Sequence, residues 1–493
     1  GYGVHLKMTV LGKNHKIGIF ILLWLLPISL TILNISRNYV TMSTITVGIL
    51  SFILILINPK TSLLAIPFFT LLSPIAGFIN IFSIHLLLSD FLFLLLGTQA
   101  IYLFLTKKII INSRGLLILE VFIPFVFLFS TIFGIISQTL VTPRPILLLG
   151  QLIIVYYYTK NFAVDEEGWT AILNAWVAAT ILGSLLLLHS FIIGIDLSAF
   201  EQSYNRVLAG RSPDTQATFL IQPRYYYTTF HFALGISTII LIIKFIFSPH
   251  RKKIKIIIPL IILLIAIIVL QNKTTIFSIA GALTTFFIFY FFKSKIVRKK
   301  TLLLSLLFAS ITIVFLYYLD YYNSSYTQIY YWYNRLFHWS SLNERFVNYS
   351  YGLKAWFLHP FHLLYGMGPD CFDGSGNYGV TKQFKISGEN LMVGTIDSGW
   401  ISYLLEMGLI GFSLLLLLFY NSIKAVIKHI NKVKFVNIEQ SPSIYILVCL
   451  FYLIIAFSTQ MLGYTKIVWL PFQILVIGLF YNRYNYNNLG ILS

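Results

Sequence analysis

The stretch SSLNERFVNYSYGLKAWFLHPF, residues 340–361, carries Arg345, Tyr349, Gly352 and Trp356 at spacings of three to four. On a helix that spacing gathers an arginine, a close-approach glycine and two aromatics on one face. Ser341 and Glu344 form the capping-box pattern that would start such a helix. A guanidinium is a planar fork of donors suited to phosphate oxygens, and flanking rings can hold it. Arg206, Arg211, Arg224, Lys273 and Arg335 are further candidates for holding an anion. Asp397, in TIDSGWISYLLEMGLIG, stands at the first turn of an apolar helix. A carboxylate there suits the helix dipole as an N-cap, and is also placed to act as a general base toward a hydroxyl.

The elements that must position these residues belong to a membrane. Of 493 residues 58% are hydrophobic and only 10% are charged, far from the composition of soluble domains. The net charge of +19 does not indicate nucleic acid, because the basic residues are spread over short loops rather than gathered on one soluble face. Runs of about 17–25 apolar residues can cross a hydrocarbon core of about 30 Å. They fall near 17–36, 43–58, 62–81, 84–105, 115–137, 145–162, 170–195, 225–247, 255–270, 274–292, 301–319, 399–420, 442–460 and 467–482. An all-α polytopic membrane protein with about fourteen transmembrane helices is therefore expected. The sixth run is the weakest, since RPILLLGQLIIVYYYTK contains Pro145, Gln151 and a tyrosine cluster, and it could instead lie along the interface. The opening GYGVHLK reads as an appended segment, and the first apolar run as a retained helix.

Alternate loops separate the basic residues into a set of 23 and a set of 12, and the larger marks the cytoplasmic side. Both termini are then cytoplasmic. Arginine makes up 4 of the 23 inside but 7 of the 12 outside, so the external face is the one suited to an anion. Two external loops are long, a first at 196–224 and a second at 320–398 between helices 11 and 12, expected to carry short helices. They divide the chain into N-terminal helices (1–195), central helices (225–319) and C-terminal helices (399–493).

Other features carry less. Asp373, Ser375 and Asn377 resemble the start of a calcium loop, but Tyr378 and Phe384 occupy the places where glycine and glutamate are needed, so no metal is expected. Cys371 and Cys449 offer no disulfide framework. Asp90, Glu120 and Glu406 fall within spans and are expected to serve as structural ties to basic residues or as a proton relay. The many tyrosines cluster at the ends of spans, where they suit an aromatic belt.

Taken together, NERFVNYSYGLKAWFLHPFHLLYGMGP and IDSGWISYLLEMGLIG resemble the bacterial Wzy-type O-antigen polymerases and O-antigen ligases, GT-C-like membrane glycosyltransferases. The likeness lies in an arginine helix, a Pro and Gly-x-Gly turn, and a helix ending Glu-x-Gly-Leu-Ile-Gly. Arg224 and Gly235 also match the arginine-to-glycine spacing of the polymerases, and Lys273 stands where relatives often carry arginine. The ligases usually have His-Asn where this chain has Asp397-Ser398, which favours polymerase over ligase.

The resemblance implies a metal-independent enzyme without cofactors at the outer face of the bacterial cytoplasmic membrane. Its substrates would be undecaprenyl diphosphate-linked oligosaccharides, and its partners the flippase and chain-length regulator of the same pathway. Arg224, Arg345 and Asp397 would be catalytic; Arg206, Arg211, Lys273, Arg335, Tyr349 and Trp356 would bind substrate. An O-antigen ligase, a related capsule or exopolysaccharide enzyme, and a lipid-linked oligosaccharide flippase remain the alternatives.

Overall fold

A computed structural model describes residues 59–76, 78–81, 84–106, 117–136, 144–163, 165–193, 228–248, 250–270, 273–293, 340–357, 360–368, 382–386, 389–393, 398–432, 442–459 and 470–487. Helix α1 (Pro59–Ala76) leads into strands β1 (Phe78–Ile81) and β2 (Ile84–Leu87), then α2 (Leu88–Leu105). Helix α3 (Leu117–Phe125) passes through a π-helical turn (Val126–Ser130) into α4 (Thr131–Ile136). There follow α5 (Arg144–Phe162), α6 (Glu166–Ile193), α7 (Thr228–Phe247), α8 (His250–Leu270), α9 (Lys273–Lys293), α10 (Ser340–Phe357) and α11 (Pro360–Tyr365). Strands β3 (Lys382–Ile386) and β4 (Glu389–Val393) precede α12 (Gly399–Lys432), α13 (Pro442–Thr459) and α14 (Leu470–Asn487).

Three of these helices contain segments long and apolar enough to cross a membrane, Glu166–Leu188, Phe230–Phe247 and Gly399–Asn431. Shorter apolar helices accompany them, among them Leu92–Leu105, Thr275–Phe289, Pro442–Ser458 and Leu470–Tyr481. The surface agrees with a lipid environment: α8 exposes Ile254, Ile258, Ile261, Ile265 and Ile268, a stripe that water would penalise. The chain thus has the build of a helical membrane protein. The expected runs at 17–36, 43–58 and 301–319 lie outside the described residues, as does the loop at 196–224.

Two antiparallel hairpins supplement the helical framework. β1 pairs with β2 in a register that sets Asn80 opposite His85 and Ile81 opposite Ile84. The runs expected at 62–81 and 84–105 therefore shorten into α1 and α2, with the hairpin between them. A short, β-branched segment broken by Asn80 and His85 suits a ladder as well as a helix end, and apolarity alone does not separate the two. The second hairpin lies in the 320–398 loop, in addition to the helices α10 and α11 there; it pairs Lys382 with Val393 and Phe384 with Leu391.

α13 is buried through most of its length and packs against α9, α12 and α7, while α14 packs against α12 and α5. Hydrogen bonds between helices supplement this packing. Trp176 Nε1–H donates to Gln473 Oε1 at 2.7 Å, and Ser237 Oγ–H to Thr180 Oγ1 at 3.0 Å. Gly235 lets α7 approach α13 closely, because a Cβ there would overlap the Tyr452 phenol. Gly235→Ala should lower the melting temperature of the purified protein by the equivalent of about 1–3 kcal/mol. Adding Tyr452→Leu should recover part of that loss, as read by differential scanning fluorimetry in detergent.

α5, the weakest of the expected spans, is packed inside the bundle against α1, α2 and α14 and exposes none of residues 150–162. Its polar groups are met from neighbouring helices. Gln151 Nε2–H donates to Asp90 Oδ1 at 2.6 Å, Tyr158 O–H to Gln99 Oε1 at 2.6 Å, and Lys160 Nζ pairs with Glu120 Oε1 at 2.9 Å. Lys160 is buried in this pair. Lys160→Met should destabilise the fold by about 1–3 kcal/mol by removing the charge-assisted hydrogen bond to Glu120, which keeps Tyr156 O–H as a donor. Replacing both, as Lys160→Met with Glu120→Leu, should restore most of it, again by melting temperature.

Candidate functional site at a broken helix

α12 is interrupted. At Gly408 the backbone takes φ 68° and ψ −178°, so the helix consists of a short first segment, Gly399–Met407, and a long second one, Leu409–Lys432. In an unbroken helix the carbonyls of Leu405 and Glu406 would accept from the N–H groups of Leu409 and Ile410. The break turns them toward other donors, and each finds one. Met367 N–H donates to Leu405 O at 2.9 Å and Gly368 N–H to Glu406 O at 3.2 Å. Ser130 Oγ–H also reaches Glu406 O, at 2.7 Å.

These donors come from two further irregular segments. Met367 and Gly368 belong to the Tyr-Gly-Met-Gly turn after α11, where Gly366 and Gly368 have φ of 84° and 101°. A Cβ on Gly366 would meet the Glu406 carbonyl, and one on Gly408 would meet Leu364 O and Gly366 N, so the two backbones touch. Ser130 ends the π-helical turn that follows Pro124, which has no N–H for the ladder. Such turns often mark functional positions in helices. Stacked rings join this segment to α11: Phe129 and Tyr365 lie 5.5 Å apart, Phe133 and Tyr365 4.8 Å, and Phe133 and Phe361 6.0 Å.

At the entry to the first segment and along its buried face, Ser398, Ser402 and Glu406 follow one another at helical spacing. Glu406 is fully buried, and its Oε1 accepts from Ser402 Oγ–H at 3.0 Å. Sequence reasoning placed Glu406 among possible ties to basic residues. It did not foresee Ser130, whose partner is set by the break in the helix, or Ser402, whose partner lies one turn on along the same segment.

α10 is fastened to the same unit. Trp356 is 4% exposed and forms a small core with Met367 and Leu405, against which Tyr349, Leu353, Leu363, Ile401 and Leu404 pack. The indole N–H donates to His362 O at 2.6 Å. The structure therefore brings Tyr349 and Trp356 together, in this core. Arg345 lies in α10 and Lys273 begins α9, with the side chains of both outside the described atoms. Arg206, Arg211, Arg224, Arg335 and Asp397 lie outside the described residues, Asp397 directly before Ser398. Of the calcium-like segment, residues 373–381 are likewise outside, while Phe384 is a strand residue in β3. Among the described residues no three His, Cys, Asp or Glu side chains gather as a metal site.

Fold and site together define a helical membrane protein in which a broken helix is clasped by a glycine turn. The chain matches no model of a protein family, and a search of curated proteins finds no match.

Proposed function

We propose that the chain is a metal-independent glycosyltransferase that polymerises undecaprenyl diphosphate-linked repeat units into O-antigen or a related surface polysaccharide. The observation that carries this reading is the clasp itself. The arginine helix, the Gly-x-Gly turn and the Glu-x-Gly helix, which are the stretches that resemble the polymerases, are the ones packed into a single unit. Residues 340–432 would thereby hold Arg345 and the entry to α12, where Asp397 stands, in a constant relation.

The growing chain on its lipid diphosphate is the donor, and a hydroxyl of the next lipid-linked repeat is the acceptor. The hydroxyl oxygen bonds to the anomeric carbon while the bond from that carbon to the diphosphate breaks. The electron pair leaves with the diphosphate, and Asp397 takes the hydroxyl proton. Arg224 and Arg345 hold the charge that develops on the leaving group, with Arg206, Arg211, Lys273 and Arg335 as further contacts. The framework is the fourteen-span topology with both termini cytoplasmic and the site outside, in the bacterial cytoplasmic membrane. A flippase and a chain-length regulator would act beside it.

The test is an assay of purified protein with synthetic undecaprenyl diphosphate-linked repeats in the absence of divalent metal. A ladder of lipid-linked products is expected. Folded protein that leaves the repeats intact would overturn the reading, and transfer to lipid A-core instead would make the chain a ligase.

A further inference from the structure

We infer that Trp356 is a positioning residue for Arg345, acting through the clasp, and not a platform on which a sugar stacks. This rests on the polymerase reading above. A stacking platform needs an open ring face, whereas Trp356 is buried against Met367 and Leu405 and its N–H is committed to His362 O at 2.6 Å. What the indole joins is informative. From α10 it reaches His362 within α11, whose following turn donates Met367 N–H to Leu405 O and Gly368 N–H to Glu406 O on the first segment of α12. The contacts from α10 to α12 thus centre on this ring, with Tyr349 and Leu353 packed beside it, and on the main-chain bonds of one turn.

Arg345 lies eleven residues before Trp356 on the same helix, about 16 Å along its axis at 1.5 Å per residue. A tilt of about 4° about the anchor moves the arginine by about 1 Å over that distance. Displacements of that size in a catalytic constellation cost about a hundredfold in rate. The indole therefore sets the position of the helix backbone that carries Arg345.

Trp356→Phe keeps a ring in the core and removes the donor to His362. Turnover is expected to fall at least about tenfold, with the KM for the lipid-linked repeat changed less than about twofold. In an Arg345→Ala background the same substitution should have little further effect, since it acts through that side chain. A second readout needs no activity: spin labels at positions 346 and 416, both exposed in the native chain, in full-length protein with Cys371 and Cys449 replaced. Their narrow distance distribution should broaden in Trp356→Phe. Leu353→Ala, which loosens the same core and leaves the indole bond, serves if Trp356→Phe yields no folded protein, and the same broadening is expected.

A rise in KM at unchanged turnover would make Trp356 a substrate contact and overturn the inference, as would a distribution as narrow as that of the native chain. If the native chain itself makes no ladder, the polymerase reading fails, while the spin-label distances still decide whether Trp356 holds α10.

Discussion

Arg345→Ala is expected to slow polymer formation by about a hundred- to a thousandfold, the loss typical when one preorganised donor to a developing anion is removed. Folding should survive the change, because α10 is fastened by Tyr349, Leu353 and Trp356 one to three turns away. Arg345→Lys separates charge from geometry. An ammonium keeps the positive charge but not the planar fork suited to two phosphate oxygens at once, so on the proposed mechanism a loss of about tenfold is expected. Arg224→Ala should fall in the range of Arg345→Ala if both hold the same diphosphate. Initial rates of ladder formation, measured on monodisperse protein without divalent metal, read all three. Arg345→Ala within about threefold of the native rate would remove this arginine from the mechanism.

The second large effect lies in the backbone. Gly408→Ala forces a side chain into φ 68° and drives its Cβ into Leu364 O and Gly366 N. The conformation costs about 1–3 kcal/mol and the overlap a similar amount, so a loss of about 2–5 kcal/mol is expected. The damage should not stay local. If the glycine turn moves away, the carbonyls of Leu405 and Glu406 lose Met367 and Gly368 as donors in a buried site. Gly150→Ala is the control, because it lies within α5 with nothing within 4 Å of the added Cβ. It should be neutral or stabilising by up to about 1 kcal/mol, as alanine is favoured over glycine in a helix interior. Melting temperatures of the two variants, compared with the native protein in the same detergent, decide the point. Gly408→Ala as stable as Gly150→Ala would mean that the clasp contributes nothing to the fold.

Much of the helical framework could be read from hydropathy, because a run of apolar residues is a local property. The runs at 170–195, 225–247 and 399–420 correspond to α6, α7 and the first two thirds of α12, across its break. The motifs of the candidate site were legible too: the arginine helix, the Gly-x-Gly turn and Glu-x-Gly are each short and contiguous. The sixth run misled by its polarity. Gln151, Tyr158 and Lys160 look interfacial until Asp90, Gln99 and Glu120 are brought to them from other helices. Trp356, which the resemblance gave as a residue binding substrate, is buried by the fold in a core with Met367 and Leu405.

Composition and periodicity by themselves determined that this is a helical membrane chain with an arginine-bearing helix and a glycine turn before its last helices. Only the tertiary structure decided what those segments do to each other. Ser130 and Glu406 are 276 positions apart, Trp176 and Gln473 297, yet each pair shares a hydrogen bond. The division has a physical cause. Helix and turn formation depend on residues a few positions apart, whereas the partner of a buried polar group depends on which distant backbone the fold delivers to it, and at Gly408 that backbone is the glycine turn.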